Sequence, residues 1–443
     1  METPLTPLEF ARRARKLYGE REAVVDGDLR LTYEELFDRC DRWSSALQGM
    51  GVKKGDRVAY IAPNIHEQLE SFYAVPQIGA VLVPINYRLT ADDFVYITSH
   101  SGAKVLCVHP DYLDAVDGVR DQLSGVEHFV SLGPAGGRQG WSEYDAALAT
   151  SKPQFKRPEI AEGDLLTINY TSGTTAKPKG VMITHRNAWA NAVGTLVHFH
   201  ITVDDRYLWT LPMFHANGWT FVWIITAVGG THICLPKVEP ARVFDLIRRE
   251  RVGWLCAAPT ILIALANAPE DVRGDVPKGV QVITAGAAPA AATIERMEGD
   301  LGWEVTQVYG LTETAPFITI CEPRPEHKKL GTTERGIGKA LTGVQLAQQG
   351  EPRGVDSVWQ GRAAGGTGGG ATGVRRARRR RRWRGGAGKR QVLPRRNRES
   401  YDAGWFCDDG SVVSGAREAG RAGRCYVQDI SGGAPGPVTP EGS

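Results

Sequence analysis

Ten consecutive residues, Thr171-Ser172-Gly173-Thr174-Thr175-Ala176-Lys177-Pro178-Lys179-Gly180, set four hydroxyls, two glycines and two lysines directly after the apolar run Leu165 to Tyr170. A strand ending in such a loop turns successive backbone N–H groups and side-chain hydroxyls toward one point, a concave site for phosphate oxygens. Lys177 and Lys179 add the positive charge that a departing pyrophosphate requires. An ordinary surface turn shares this composition, so the order of residues carries the information. That order departs from the GxxxxGK[ST] loop of P-loop nucleotide hydrolases, which disfavours a kinase or GTPase reading.

The elements that position this loop follow from hydrophobic patterning. Short apolar runs at Arg57 to Ala62, Ala80 to Ile85 and Lys104 to Val108 read as strands, separated by amphipathic stretches at His66 to Gln77 and Thr90 to Ser101 that read as helices. The alternation resumes with candidate buried strands at Asp164 to Tyr170, Tyr207 to Leu211, Gly230 to Leu235, Trp254 to Ala257 and Gln281 to Ala285. Pro240 to Arg251 reads as a helix with Val243, Phe244, Leu246 and Ile247 on one face. Alternation of this kind predicts an α/β fold of βαβ units on largely parallel sheets. Between Ala135 and Pro158 the chain turns polar, which predicts a surface connection between two sub-structures.

Several of these segments together resemble the adenylate-forming (AMP-binding) superfamily, which holds acyl-CoA synthetases, coumarate ligases, luciferases and peptide-synthetase adenylation domains. The 171–180 loop is similar to its signature loop. Leu31-Thr32-Tyr33-Glu34-Glu35-Leu36 and Ile78-Gly79-Ala80-Val81-Leu82-Val83-Pro84-Ile85-Asn86 resemble its early segments. Pro212-Met213-Phe214-His215, followed by Asn217-Gly218-Trp219, resembles the stretch bordering the acyl pocket of fatty-acid ligases. Ala285-Gly286-Ala287-Ala288-Pro289 and Gln307-Val308-Tyr309-Gly310-Leu311-Thr312-Glu313 resemble the two segments that enclose adenine. The fold implied is the large N-terminal body of an adenylate-forming enzyme: two βαβ-type subdomains with parallel sheets sandwiched by helices, over residues 1–346.

The resemblance also implies roles. Thr171, Ser172, Gly173, Thr174, Thr175 and Lys177 would hold ATP phosphates. Tyr309 and Gly310 would face adenine on one side, with the Gly286, Ala287 and Ala288 backbone on the other, where small residues permit close approach. Thr312 would bond the α-phosphate, and Glu313 would ligate Mg²⁺, a hard cation that prefers carboxylate and phosphate oxygens. Lys179, Thr312, Glu313 and His215 form the implied catalytic set, His215 gating the acyl pocket or positioning the acid; the alternative for His215 is a satisfied core histidine. His185 sits where the next helix should begin and reads as structural. The implied reaction is ATP-dependent activation of a carboxylic acid, leaning to short- and medium-chain fatty acids, through acyl-AMP to a thioester with coenzyme A. Its partners are a small-molecule acid, ATP and CoA.

Composition bounds the rest. At 443 residues the chain suits two or three packed units, and 42% hydrophobic with 23% charged residues is ordinary for a globular protein. The seven cysteines show no CxxC pair, so a disulfide framework or zinc finger is not indicated. No apolar run is long enough for a membrane span, and a cytoplasmic setting is expected. From Ala347 to Ser443 the chain carries 18 basic against 9 acidic residues, whereas the remainder carries 35 against 41. That 347–443 stretch also holds 21 of the 52 glycines and the run Arg375 to Arg384, and hydrophobic periodicity is lost. It reads as an irregular, disordered Gly/Arg-rich tail, with the composition of GC-rich coding sequence translated out of frame. The family's C-terminal small domain, with its ribose-binding aspartate and catalytic lysine, is not legible there. Tyr401-Asp402-Ala403-Gly404-Trp405-Phe406 is faintly similar to the segment before that aspartate, but Cys407-Asp408-Asp409-Gly410 departs from the pattern. Two other readings stay open: a catalytically impaired nucleotide-binding remnant, and a nucleic-acid binder that uses the arginine run.

Overall fold

Helix starts fall where short-range chemistry puts them. Thr32 Oγ1 accepts the Glu35 N–H while the Glu35 carboxylate accepts the Thr32 N–H, and the helix Tyr33–Gly49 begins there. The same reciprocal cap opens Ala91–Ser101 at Thr90 and Asp93, and His185–His198 at Thr184 and Asn187. Along Tyr33–Gly49 the residues Leu36, Phe37, Cys40, Trp43 and Leu47 are buried. They recur at helical spacing and seat this helix on the sheet through the Trp43 Nε1–H to Tyr60 Oη bond of 2.7 Å. Full burial of a leucine such as Leu36 or Leu47 contributes about 1.5–3 kcal/mol.

The computed structural model describes residues 3–171 and 177–321, and beyond them the backbone of short strands at 343–345, 404–407, 412–414 and 425–426. The chain divides into two units, residues 1–367 and residues 368–443. In the second, Gly404–Cys407 pairs antiparallel with both Val412–Ser414 and Cys425–Tyr426.

The first unit contains two sheets. Its strands are β1 (Glu22–Asp26), β2 (Leu29–Thr32), β3 (Arg57–Ile61), β4 (Val81–Ile85), β5 (Ala103–Val108), β6 (His128–Ser131), β7 (Trp141–Glu143) and β8 (Leu165–Thr171). They continue with β9 (Lys179–Thr184), β10 (Arg206–Leu208), β11 (Thr231–Ile233), β12 (Trp254–Ala257), β13 (Gln281–Thr284), β14 (Glu304–Gly310), β15 (Phe317–Cys321) and β16 (Gly343–Gln345). The seven-stranded sheet has the order β7-β6-β5-β3-β4-β8-β9, and the nine-stranded sheet β16-β15-β14-β13-β12-β10-β11-β1-β2. Both are parallel through their centres and antiparallel only at β8–β9, β1–β2 and β14–β15–β16. Buried on both faces, the central strand β4 is apolar throughout, as a covered parallel strand must be. The two halves meet through buried contacts such as the Tyr73 hydroxyl, on the helix His66–Ala74, donating to Val222 O on the helix Phe221–Val228 at 2.5 Å.

Two expectations need correction. The strand predicted from Tyr207 to Leu211 stops at Leu208, because Asn64 Nδ2 takes the carbonyls of Trp209 and Leu211 at 2.8 and 2.9 Å and pulls the chain off the ladder. The polar stretch from Ala135 to Pro158 is more than a connection. It supplies edge strand β7 and the helix Tyr144–Thr150, whose Tyr144 and Leu148 are buried four residues apart.

Candidate active site

Strand β8 runs out to Thr171 and β9 returns from Lys179, with Tyr170 opposite Gly180 and Thr171 opposite Lys179. The hydroxyl-rich loop is therefore the tip of a hairpin, and the helix His185–His198 begins only after the return strand. Ser172, Gly173, Thr174 and Thr175 lie outside the described residues. The far side of the tip is braced by the helix Ala91–Ser101. Lys177 Nζ lies 5.2 Å from the centroid of the Tyr96 ring, and the Tyr96 hydroxyl donates to Pro178 O at 3.2 Å. Tyr96 stacks on His100, whose Nδ1 is 2.8 Å from the Tyr170 hydroxyl. His185 is buried, with Nδ1 2.7 Å from Thr6 Oγ1, and burial pushes its pKa down to about 4.

The second wall is the end of the nine-stranded sheet. Thr284 pairs with Gln307 in the parallel register of β13 and β14, so Gly286 and Tyr309 each stand two residues beyond that pair. Gly286, Ala287 and Ala288 are exposed there, and Gly286 has φ 90°, open to glycine. The Tyr309 ring is 56% exposed, an unusual position for a large aromatic on a core strand and a suitable one for stacking a base. Gly310 is obligatory, because a Cβ there would lie 2.1 Å from Pro316 O. Thr312–Thr314 then forms a short 3₁₀ turn, closed by Leu311 N–H to Thr314 Oγ1 at 2.9 Å, and this turn lies alongside β9. Glu313 is exposed on it, a hard oxygen donor free to meet a cation. Thus Glu313 and Lys179, far apart in the chain, sit on neighbouring elements.

The third wall is the segment after Phe214. From Ala216 to Thr220, five consecutive residues have φ between 39° and 67°, a left-handed turn in which only Gly218 is free of the usual penalty. Each non-glycine residue in that region costs roughly 1–2 kcal/mol, so the surroundings must impose the shape. Asn217 Nδ2 donates to Thr167 Oγ1 at 2.7 Å, Thr167 Oγ1 donates to Asn169 Oδ1 at 2.9 Å, and Asn169 Nδ2 donates to Asn217 Oδ1 at 3.1 Å and to Phe214 O at 3.0 Å. This closed ring ties the turn to β8, the strand that delivers the phosphate-type loop. Below it, Trp209 fills the space a Cβ on Gly218 would need, with ring carbons at 2.5 and 2.8 Å. Asn64 Oδ1 accepts the Met213 N–H at 2.8 Å from the other side. His215 precedes the turn. It is exposed, and crowding of its ring by protein atoms, which costs it hydration, lowers its pKa. Asn217 was read from sequence only as part of the Asn217-Gly218-Trp219 stretch bordering the acyl pocket, with no partner assigned, and Thr167, Asn169 and Asn64 were not singled out; an asparagine next to a glycine is the one available hint of positive φ.

A family model described as AMP-binding enzyme matches residues 10–356. The chain belongs to the AMP-binding enzyme family. The chain is 38% identical over 349 residues to 4-hydroxybutyrate–CoA ligase 2 of Metallosphaera sedula, covering 77% of the chain and 63% of the relative. It is 33% identical to the peroxisomal trans-cinnamate:CoA ligase of Petunia hybrida, covering 77% and 64%. With the peroxisomal acetate/butyrate–CoA ligase AAE7 of Arabidopsis thaliana it shares 35% over 435 residues, covering 91% and 73%. The chain therefore spans under two thirds of the length of the first two relatives. The inhibitor-bound N-terminal domain of FACL13 from Mycobacterium tuberculosis superposes with a TM-score of 0.67 at 31% identity, over 74% of this chain and 81% of that one. The chain thus has the predicted α/β architecture of an adenylate-forming N-terminal body.

Proposed function

We propose that this chain is the ATP- and acid-binding body of an AMP-forming acid–thiol ligase, acting on a short- to medium-chain carboxylic acid with coenzyme A as acceptor. The observation that carries the reading is that the turn bearing Glu313 lies beside β9, the strand that returns from the hydroxyl-rich loop, with Tyr309 exposed on the strand leading into that turn. In the first step a carboxylate oxygen attacks the α-phosphorus, the bond to pyrophosphate breaks, and acyl-AMP forms. In the second, the thiol sulfur attacks the acyl carbon and AMP leaves. Two anions meet in the first step, so positive charge must screen them. Lys177 and Lys179 supply part of it, and Mg²⁺ held by Glu313 would supply the rest when bound. Thr312 and the hydroxyls of the loop hold phosphate oxygens, while Tyr309 and the Gly286–Ala288 backbone hold adenine. His215, kept neutral by its surroundings, presents a hydrogen-bonding ring rather than a charge to the acid.

Trp209 beneath Gly218 and the buried Trp219 support a short acyl site. The acids in the relatives' names, 4-hydroxybutyrate, acetate or butyrate, and cinnamate, agree in being small. A cytoplasmic setting accompanies this reading. Among the described residues no helix is long and apolar enough to cross a membrane, although the Petunia and Arabidopsis relatives are named peroxisomal. The test is ATP–pyrophosphate exchange on the purified chain with acids from acetate to palmitate. Exchange that depends on one acid class establishes adenylation and names the substrate. Normal ATP binding with no exchange for any acid would instead favour a nucleotide-binding remnant.

A further inference from the structure

Where the two sheets meet, three metal-ligand side chains converge that the proposed reaction does not use. Asp26 ends β1 of the nine-stranded sheet, and His66 and Glu67 open the helix that follows β3 of the seven-stranded sheet. Asp26 Oδ2 accepts the His66 backbone N–H at 2.9 Å and lies 2.8 Å from His66 Nδ1, and Glu67 Oε2 lies 3.2 Å from the same nitrogen. One ligand atom from each residue falls within 4.8 Å of the others. The three side chains keep only 14%, 15% and 9% of their surface.

This arrangement is short of positive charge. Nδ1 carries at most one proton, so it can serve one carboxylate at a time while two converge on it. Neither Asp26 nor Glu67 has a lysine or arginine partner among the described residues. The nearby Glu70 does not help, being committed to Arg39 and to the Tyr144 hydroxyl. Two carboxylates and an imidazolium leave one uncompensated negative charge in a nearly closed space, a costly state.

We propose that Asp26, His66 and Glu67 form a binding site for a divalent transition-metal cation of the zinc class. Two carboxylates and one imidazole give three protein ligands with a fourth position for water, and the charges then balance. With arms of about 2.1 Å, a tetrahedral site has edges of roughly 3.4 Å; the two edges from Nδ1, 2.8 and 3.2 Å, are already near that length, and the two carboxylate oxygens lie within 4.8 Å of each other. The imidazole selects against Mg²⁺ and Ca²⁺, which prefer an all-oxygen shell. The His66 backbone N–H remains on Asp26 and orients it from outside the coordination shell. Because the ligands come from both sheets, the cation pins the two halves of the body together and stabilises the folded state by mass action.

The test uses the full chain, metal-free and without a histidine tag, titrated with Zn²⁺ and with Co²⁺ at neutral pH in excess Mg²⁺. One equivalent is expected to bind, with a Co²⁺ visible spectrum of a four- or five-coordinate site and a Zn²⁺-dependent rise in Tm. Binding should weaken at least about tenfold in Glu67→Gln and about a hundredfold in His66→Gln, and stay unchanged in Cys234→Ser, which alters the buried thiol whose backbone N–H donates to Val25 O beside Asp26. Glu67→Gln keeps the side-chain shape and removes the uncompensated charge, so its metal-free Tm should be no lower than the parent chain's while the Zn²⁺-dependent rise is lost. No binding, or equal binding in all variants, overturns the site and leaves a shared proton among the three groups. The readouts involve neither ATP nor acid, so they stand apart from the proposed ligase activity.

Discussion

The proposed nucleotide side displays its groups on strand ends, whereas the proposed acid side holds its groups in a left-handed turn clamped by buried side chains. On the first side Tyr309, Glu313 and Lys179 are exposed, and the backbone carrying them is regular strand or a short 3₁₀ turn. On the second, Ala216 to Thr220 adopts five positive φ values and depends on Asn217, Asn169, Thr167 and Trp209 for its shape. Displayed groups can be removed without disturbing the fold, so their loss should strike chemistry alone. Held groups cannot be altered without releasing strain, so their loss should strike geometry and stability together.

The largest expected effect separates the sides by rate. Glu313→Ala and Lys179→Ala should each lower ATP–pyrophosphate exchange by about 10²–10³-fold with Tm unchanged; a Tm drop matching the activity loss would break the distinction. Next comes Asn217→Ala, which loses the ring of hydrogen bonds and places an alanine at φ 50°. Removing bonds from buried partners costs about 1–3 kcal/mol, so the acid KM should rise roughly 10- to 100-fold while the ATP KM stays within about twofold. Asn217→Gly keeps the backbone and should recover part of the loss. In a double-mutant cycle Asn217→Gly and Asn169→Ala should be strongly non-additive, since they remove the same contacts; simple additivity would mean that the ring does not act as a unit.

Gly218→Ala drives a methyl into Trp209 and should lower stability by about 1–3 kcal/mol, read by denaturant midpoint. The smallest effect concerns pH. Burial lowers the pKa of His185 to about 4 and of the fully buried His232 to about 3, from 6.5 in the unfolded chain. Each is neutral in the fold while the unfolded chain takes up protons first, so their contribution is complete above pH 6.5 and is lost as pH falls toward 4 and 3. The slope should be on the order of 1 kcal/mol per pH unit for each histidine. His185→Asn, on the nucleotide side, and His232→Asn, behind Trp209 on the acid side, should each flatten it.

The nucleotide side was largely legible from sequence because its elements announce themselves locally. The apolar run before Thr171, the helix start at His185 and the buried strand β13 all follow from short-range patterning. The roles carried over to Tyr309, Thr312 and Glu313 rested on resemblance, and the structure adds that their turn meets β9. On the acid side His215, Asn217 and Trp219 were legible as members of a pocket-bordering stretch, but the partners that shape their loop, Asn169 and Asn64, were not. Asn169 interrupts an apolar strand and Asn64 follows a proline, and neither position signals a partner more than forty residues away. The early end of β10 has the same cause, since Asn64 competes for carbonyls that a strand would have used.

What the sequence by itself determined was the alternation of strand and helix, the phosphate-type loop and the glycines, all properties of neighbours within a few residues. What only the tertiary structure decided was which distant residues meet: Glu313 beside β9, Asn217 bonded to Thr167 and Asn169, and Asp26 facing His66 and Glu67 across two sheets. The physical reason is that local propensity depends on backbone sterics and periodicity, whereas a buried polar group takes whichever partner the packing of the whole body brings within about 3 Å.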